Sequence, residues 1–320
     1  MAPITNTFQQ FQAIGVREEL SDIIYNISPT ETPFMQNAGR GKLAQTFFEW
    51  QTDALATAVT NNNQVEGDDI ASFDSVTPTV RLGNYAQISR KTVIISDTEE
   101  VVDKAGRKSE ISYQLAKKGK ELKRDMETGL LAAAHGASAG NSTTARVTAS
   151  LPSFIKTNIT KASNGIAPIY TSIPTDIWTD GTQRSFTETL LKDNIQQCWT
   201  QGAEPKTIMV GALAKQVASG FAGVVELMSP QSKGGQATII GAADTYVSDF
   251  GNLTVVPNRF QRARDAFVLD WEFISIDYLR PFKQEPLAKT GDAEKRMLIV
   301  EYGLRVKNEK ALGIITDLTP

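Results

Sequence analysis

The feature that most constrains this chain is the segment 46–95, which we predict to form a long two-stranded antiparallel ribbon. One limb, residues 46–52, is rich in the aromatic and β-branched residues that favour strands. The other limb, residues 80–88, alternates apolar and polar side chains. A polar loop rich in turn formers, residues 61–69, lies between them. Limbs of about 12 residues would give a ribbon of roughly 40 Å at about 3.3 Å per residue.

Such a ribbon needs support, because an isolated two-stranded ribbon is only marginally stable in water. It carries Phe47, Phe48 and Trp50 near its base and, as we interpret the sequence, little apolar surface toward its tip. It must therefore lie on its own domain or on a neighbouring copy of the chain. We hypothesise that Trp50 and its neighbours anchor the base and contribute to contacts between subunits.

The first 45 residues share this shortage of apolar surface and predict an arm with little core of its own. Polar stretches alternate with short apolar ones, which include Phe8 and Phe11 as candidate contacts with other subunits. Residues 20–25 have the spacing of a short helix, and the Gly-Arg-Gly-Lys run at 39–42 predicts a flexible junction. The arm is expected to lie across neighbouring copies.

The strongest helix signal lies between residues 96 and 135. Ser96 and Glu99 match a capping box, Gly106 predicts a bend, and Gly136 predicts the end. A single helix over this range would span roughly 50 Å at about 1.5 Å per residue. The apolar or small residues that recur at helical spacing are Ile111, Leu115, Gly119, Leu122, Met126, Leu130 and Ala133.

This helix is unusually basic, with eight lysines and arginines against two acids between residues 104 and 124. The candidate contact residues are Lys104, Arg107, Lys108, Lys117, Lys118, Lys123 and Arg124. Three interpretations stay open. The residues form a solvated face, they contact nucleic-acid phosphates, or they contact an acidic patch on a neighbour such as Glu66, Asp68 and Asp69.

The second half of the chain predicts a mixed α and β region, so the fold class is α+β. Residues 137–184 are predicted to be irregular apart from a helical turn at 151–156. Ser185 and Glu188 match a second capping box. Residues 298–306 alternate as a long strand with one buried face. The shorter elements expected are a helix at 213–221, strands at 208–210, 266–269 and 273–279, and a hairpin of 246–248 with 253–256 that turns at Gly251-Asn252.

Catalytic and metal chemistry find little support in the sequence. His135 is the only histidine and Cys198 the only cysteine, which excludes zinc sites of the usual kind. His135 lies at the predicted helix end, and Cys198 beside Trp199 is interpreted as core. The spacing of the acidic residues near 66–69 matches no calcium loop. We therefore predict no enzyme, with no catalytic residue, metal or cofactor.

Net charge and hydropathy narrow the remaining classes of function and location. The net charge of −3 does not mark the whole chain as a nucleic-acid binder. No apolar run approaches the roughly 18 residues of a membrane span, and the N-terminus lacks the features of a signal peptide. The sequence therefore predicts a protein that stays in the cytoplasm where it is made and does not bind a membrane.

Taken in order, these elements resemble the Hong Kong 97-type fold of tailed-phage major capsid proteins. The runs that carry the resemblance are residues 21–29 (SDIIYNISP) with 32–34 (TPF), 49–53 (EWQTD), 102–110 (VDKAGRKSE), 119–125 (GKELKRD), 256–260 (VPNRF), 279–282 (LRPF) and 287–296 (LAKTGDAEKR). They cover nearly the whole chain and are weakest from about 137 to 184 and at the ribbon tip.

The resemblance implies an organisation in five parts. These are an N-terminal arm at 1–45, an extended β-hairpin loop at 46–95, a peripheral domain with a long spine helix at 96–185, an axial domain at 186–264, and strands at 265–320 that return to the peripheral domain.

The resemblance also implies a function, that of a major capsid protein that self-assembles into an icosahedral shell around double-stranded DNA. The implied partners are further copies of the chain in hexamers and pentamers, a portal protein, scaffolding and decoration proteins, and packaged DNA bound without sequence specificity. The implied location is the virion, assembled in the host cytoplasm. The alternative is the shell protein of a cellular nanocompartment or gene-transfer particle with the same fold.

Overall fold

The structure is a computed structural model that describes residues 30–67, 69–70, 73–103, 106, 108–221 and 245–320. Within these residues the chain forms an α+β fold, as predicted, with two larger sheets and a separate two-stranded ribbon. The short helix predicted over residues 20–25 lies outside the described residues.

The region predicted as one long helix contains two, α2 (Asp97–Val101) and α3 (Glu110–Leu131). Ser96 caps α2 as predicted, since its hydroxyl accepts a hydrogen bond from the Glu99 amide at 3.2 Å. The prediction of a single bent helix is wrong, because Gly106 adopts a left-handed backbone (φ 77°) between the two. Ser109 then caps α3, whose 22 residues give about 33 Å of helix.

A four-stranded sheet packs against α3 and has the strand order β1-β10-β11-β4. Its strands are β1 (Gly39–Lys42), β4 (Gln87–Ser96), β10 (Ile274–Pro286) and β11 (Ala293–Val306). The flexible junction predicted at 39–42 is wrong, because β1 pairs with β10 in parallel. A short helix, α1 (Pro33–Asn37), precedes β1 and brings Phe34 and Met35 into the core.

The predicted ribbon is present but shorter than expected. β2 (Phe47–Thr52) and β3 (Val80–Tyr85) pair antiparallel, with Phe47 opposite Tyr85 and Thr52 opposite Val80. Six residues a limb give about 20 Å rather than 40 Å. The second limb ends at Tyr85 because Gln87 already pairs with Tyr302 of β11.

The second large sheet has six strands in the order β5-β12-β9-β6-β8-β7 and draws them from residues 159–315. The strands are β5 (Ile159–Thr160), β6 (Thr207–Val210), β7 (Thr245–Ser248), β8 (Gly251–Pro257), β9 (Ala266–Leu269) and β12 (Gly313–Ile315). The strand predictions at 208–210 and 266–269 are confirmed. The hairpin of β7 and β8 is also confirmed, but Ser248 pairs with Gly251, so the turn is Asp249-Phe250 rather than Gly251-Asn252.

The described residues also form three further α-helices, α4 (Leu151–Phe154), α5 (Glu188–Thr200) and α6 (Ala212–Ala218), and two 3-10 turns at Trp271–Phe273 and Glu309–Ala311. The second capping box is wrong, because Thr187 rather than Ser185 caps α5 by accepting from the Leu190 amide. α5 packs on β12 and β5, and α6 packs on β8. The six-stranded sheet thereby gains a helical cover on one face.

Two hydrophobic clusters meet at the six-stranded sheet. Met209, Phe267 and Leu269 face the cluster that holds α3 and the four-stranded sheet. Ile208 and Val268, their neighbours in sequence, face the cluster beneath α5 and α6. β6 and β9 are buried along their whole length, as strands covered on both faces are. The predicted domain boundaries stay predictions. β9 and β12 share a sheet with β6, whereas β10 and β11 share the other sheet with β4.

Candidate assembly surfaces

The base of the ribbon, β2 and β3, lies on its own chain. Phe48 packs over Gly303 of β11 so closely that a Cβ at that glycine would come within 2.5 Å of the phenyl ring. Trp50 lies beside it, with ring centroids 5.8 Å from Phe48 and 6.1 Å from Phe154. The Arg305 guanidinium sits 5.6 Å and 5.8 Å from the Phe48 and Trp50 rings, at cation–π distance.

The ribbon base adds to the burial of β11. All six residues from 299 to 304 are buried, so the prediction that 298–306 has one buried face is wrong over this stretch. Phe48 itself is only 6% exposed, and Phe47 is half-buried with its ring 4.8 Å from Tyr85. Phe48 therefore has little surface left for a neighbour, and the support predicted for the ribbon base comes at least in part from its own domain.

The ribbon tip, residues 53–79, has the opposite surroundings. Every described residue in it is exposed, and none belongs to a helix or strand. The expectation of little apolar surface here is wrong. Six apolar side chains are between 72% and 100% exposed: Leu55, Val59, Val65, Ile70, Phe73 and Val76. Sequence reasoning missed them because they are scattered singly among polar residues, without the period of either a helix or a strand.

The tip is also where the predicted acidic patch lies. Glu66 and Asp69 are exposed, and Asp68 lies outside the described residues. Gly67 between them has a left-handed backbone (φ 81°), which marks a tight turn. The tip therefore presents carboxylates together with uncovered apolar side chains.

The predicted basic face of α3 is partly engaged within the chain. Lys118 forms an ion pair with Glu121 at 2.7 Å, and the Arg124 guanidinium lies 5.2 Å from the Phe260 ring. Lys123 is exposed and its Nζ is 5.9 Å from the Phe282 ring, while Lys108 and Lys117 are exposed. Lys104 and Arg107, like Phe8 and Phe11 of the arm, lie outside the described residues.

A buried carboxylate fixes the point at which the N-terminal arm joins the body. Glu127 of α3 is fully buried and accepts hydrogen bonds from the Phe34 and Met35 amides at 2.8 Å and 2.9 Å. The Asn258 amide donates to it at 2.7 Å. Burial raises the pKa of Glu127, although these three hydrogen bonds oppose the shift. The first turn of α1 is thus held on α3.

A second buried carboxylate lies under the loop before β9. Asp265 is 1% exposed, and its Oδ2 is 3.4 Å from Nε of Arg262; among the described residues neither carboxylate oxygen has a hydrogen-bond partner. Burial raises the pKa of Asp265 to about 7, outweighing the opposite effect of Arg262. The stability of the fold should therefore depend on the protonation of this group.

The residues considered for chemistry lie apart. His135 follows α3, and its carbonyl accepts hydrogen bonds from the Ser150 and Ser153 hydroxyls. Cys198 is buried in α5, where burial raises the pKa of its thiol to about 12, so the thiolate needed for nucleophilic attack is not formed near neutral pH. Among the described residues no group of His, Cys, Asp and Glu side chains could hold a metal ion. Nor does any described helix combine the length and apolar character required to cross a bilayer.

A long helix, a two-stranded ribbon and two sheets are arranged here as in the Hong Kong 97-type capsid fold. The capsid protein of cyanophage A-1(L) has a similar structure, with a TM-score of 0.70 at 13% identity over 99% of this chain and 100% of that one. The encapsulin SrpI of Synechococcus elongatus PCC 7942 matches less well, with a TM-score of 0.56 at 10% identity over 95% and 92% of the two chains. At these identities the likeness shows the fold alone.

Sequence comparison identifies the family. The SU10 major capsid protein family matches residues 3–319, and the chain belongs to that family. The major capsid protein of Escherichia phage Phieco32 is 29% identical, over 96% of both chains. The chain is therefore a major capsid protein of a phage, and multiple copies of it build the shell of the virion.

Proposed function

We propose that the ribbon tip of each subunit completes the shell by lying on a neighbouring subunit, in hexamers and pentamers of an icosahedral particle. The observation that carries this proposal is the set of six apolar side chains on the tip that the described part of the chain leaves uncovered. Burying them against a neighbour would remove apolar surface from water, which favours association. The ribbon base is a second observation that supports the proposal, since its packing fixes where the tip leaves the body of the subunit.

The energetics favour many modest contacts rather than one strong one. Covering a Val, Leu, Ile or Phe side chain contributes about 1.5–3 kcal/mol, and the entropy lost on fixing the contact opposes this gain. Contact between a single pair of subunits is therefore expected to be weak. Closed rings repeat the same contact around a symmetry axis, so that the small surplus of each interface adds up over the shell.

The test replaces Leu55, Val59, Phe73 and Val76 together with serine. We expect a subunit that unfolds at the same urea concentration as the wild type but forms no closed particles in electron microscopy. The control variant changes Asn61, Asn62 and Asn63 to serine, which alters the same loop without removing apolar surface, and it should assemble normally. Particles of normal yield from the four-site variant would contradict the proposal.

The basic face of α3 has two candidate partners in an assembled shell. One is the acidic tip of a neighbour, and the other is packaged double-stranded DNA bound without sequence specificity. Reversal of Glu66, Asp68 and Asp69 to lysine separates them. If the tip is the partner, particle yield falls and is partly restored by reversing Lys117 and Lys123 to glutamate; unchanged yield would leave DNA as the partner.

The finer parts of the function follow from the family. We propose that the shell encloses DNA delivered through a portal protein, that scaffolding and decoration proteins act during or after assembly, and that assembly occurs in the host cytoplasm. The chain acts in this by binding rather than by catalysis. A nanocompartment shell shares the fold, as SrpI illustrates, but the family match favours the phage capsid.

A further inference from the structure

A partly buried cluster of charged side chains joins three segments of the chain. They are the segment 179–184, the loop 258–265 between β8 and β9, and the segment 316–319 after β12. The charged groups that face one another there are Asp180 and Arg184 on the first segment, Arg262, Arg264 and Asp265 on the second, and Asp317 on the third. The buried Asp317 side chain accepts a hydrogen bond from the Gly181 amide at 2.6 Å, and its carbonyl accepts one from the Arg184 amide at 2.7 Å. The cluster thus holds three parts of the chain at one point.

Asp180 connects the segment 179–184 to the loop before β9 through two arginines. Its Oδ1 accepts a hydrogen bond from Nη2 of Arg262 at 2.6 Å, and its Oδ2 accepts one from Nη1 of Arg264 at 3.1 Å. Nη2 of Arg264 also donates to the Gly181 carbonyl at 2.7 Å. Hydrogen bonds between ionised groups are stronger than neutral ones, so these contacts fix the position of the segment.

Asp265 competes with Asp180 for Arg262. Its Oδ2 lies 3.4 Å from Nε of Arg262, and within the described part of the chain neither of its oxygens accepts a hydrogen bond. An ionised carboxylate buried in this way is unfavourable, so the neutral form suits the observed arrangement. Burial raises the pKa of Asp265 to about 7, and the nearby charges of Asp180 and Asp317 act in the same direction, against Arg262 and Arg264. The arrangement in which Arg262 binds Asp180 therefore belongs to the protonated Asp265.

We propose that this cluster is a pH-sensitive latch, in which ionised Asp265 draws Arg262 away from Asp180 and releases the segment 179–184. Arg264 alone then holds Asp180, and a third negative charge stands beside Asp180 and Asp317. The closed latch keeps the proton and the open latch loses it. Opening is therefore favoured as pH rises from the ordinary value of 3.8 to about 7, and levels off above that. The inference concerns the subunit itself and does not depend on the proposed contact between subunits.

The first test measures hydrogen exchange in the full-length subunit between about pH 5 and pH 8, with each rate divided by the intrinsic rate at that pH. The corrected rates of the Gly181 and Arg184 amides should rise by up to about tenfold per pH unit from about pH 5 to 7. In Asp265→Asn they should not rise, because the amide side chain has no proton to lose. The Asn141 amide, which donates to the Thr144 carbonyl in another loop, is the internal control and should not follow pH. Rates at 181 and 184 that ignore pH, or that follow it equally in the variant, would overturn the latch.

The second test removes the arginine that the two carboxylates share. In Arg262→Gln the latch should be open even in acid, so that at about pH 5 the Gly181 and Arg184 amides exchange about tenfold faster, or more, than in the wild type. Arg259→Gln is the matched control, because Arg259 is an exposed arginine of the same loop and its loss changes the net charge equally. The control should keep the exchange rates of the wild type at every pH. Rates in Arg262→Gln that equal those in Arg259→Gln would show that Arg262 does not hold the segment, and the inference would fail.

Discussion

The base and the tip of the ribbon belong to one stretch of chain and differ in what holds them. At the base, Phe48 is wedged onto Gly303 and Trp50 lies against Phe154. At the tip, Phe73 is 88% exposed to solvent in the part of the chain that the structure describes. Packing of the base therefore stabilises the folded subunit, whereas the apolar side chains of the tip remain available to another molecule. In the proposed assembly a single hairpin would thus serve both folding and subunit contact, with the two roles separated along its length.

The largest expected effect comes from removing the same side chain at the two ends. Phe48→Ala should lower the free energy of unfolding by about 3–5 kcal/mol, because it empties a packed site. Phe73→Ala should change it by no more than about 0.5 kcal/mol, because the ring is exposed. Urea unfolding of the two variants measures the difference. Equal losses would mean that the tip folds against the body and would break the comparison.

A smaller loss of stability is expected when the ribbon base is displaced and its side chains are kept. Gly303→Ala places a methyl group against the Phe48 ring and should cost about 2 kcal/mol in the free energy of unfolding. Gly129→Ala, in open space on α3, should be neutral or slightly stabilising. Thermal unfolding compares the pair. A neutral Gly303→Ala would show that the ribbon base shifts at little cost.

The smallest expected effect comes from Asp265→Asn, which should stabilise the body of the subunit but not the tip. Its pKa is about 7 when folded against 3.8 as the ordinary value, so the folded state holds the extra proton between these values and stability falls as pH rises through them. The Asp265→Asn variant has no carboxyl group to deprotonate here, so it does not lose stability in this way as pH rises. It should be more stable than the wild type by about 1–2 kcal/mol at pH 8, with the difference shrinking toward pH 4.

The same variant sharpens the comparison through hydrogen exchange. If the base unfolds with the body, the amides of β2 and β3 should exchange more slowly in Asp265→Asn at pH 8, and the tip amides should be unaffected. Slower exchange in the tip would indicate that it shares the stability of the body, contrary to its exposure.

Local signals predicted much of the fold. The Ser96 cap, the paired limbs at Phe47 and Tyr85, and the buried strand at Thr207–Val210 all depend on side chains near in sequence. The break before α3 could not be foreseen in this way. The Glu100 carboxylate accepts from the Glu110 and Ile111 amides and so satisfies the start of a new helix, a contact that exists only once the chain has turned.

The candidate site was predicted only in part, for a related reason. The sequence singled out the ribbon but assigned its apolar residues to the base alone, because isolated valines and isoleucines in a polar loop have no periodic signal. It also assigned one buried face to residues 298–306. The second face is buried because distant side chains lie on it: Phe48 covers Gly303, and Arg146 and Arg280 pair with Glu301.

The clasp of Glu127 on the first turn of α1 has a mechanical consequence. Any pull on the chain before α1 reaches the hydrogen bonds that the Phe34 and Met35 amides donate to this carboxylate before it reaches the strand pairs of β1. The load then passes into α3, the longest helix among the described residues. Tension on the arm is thereby spread over the body instead of peeling its edge strand away.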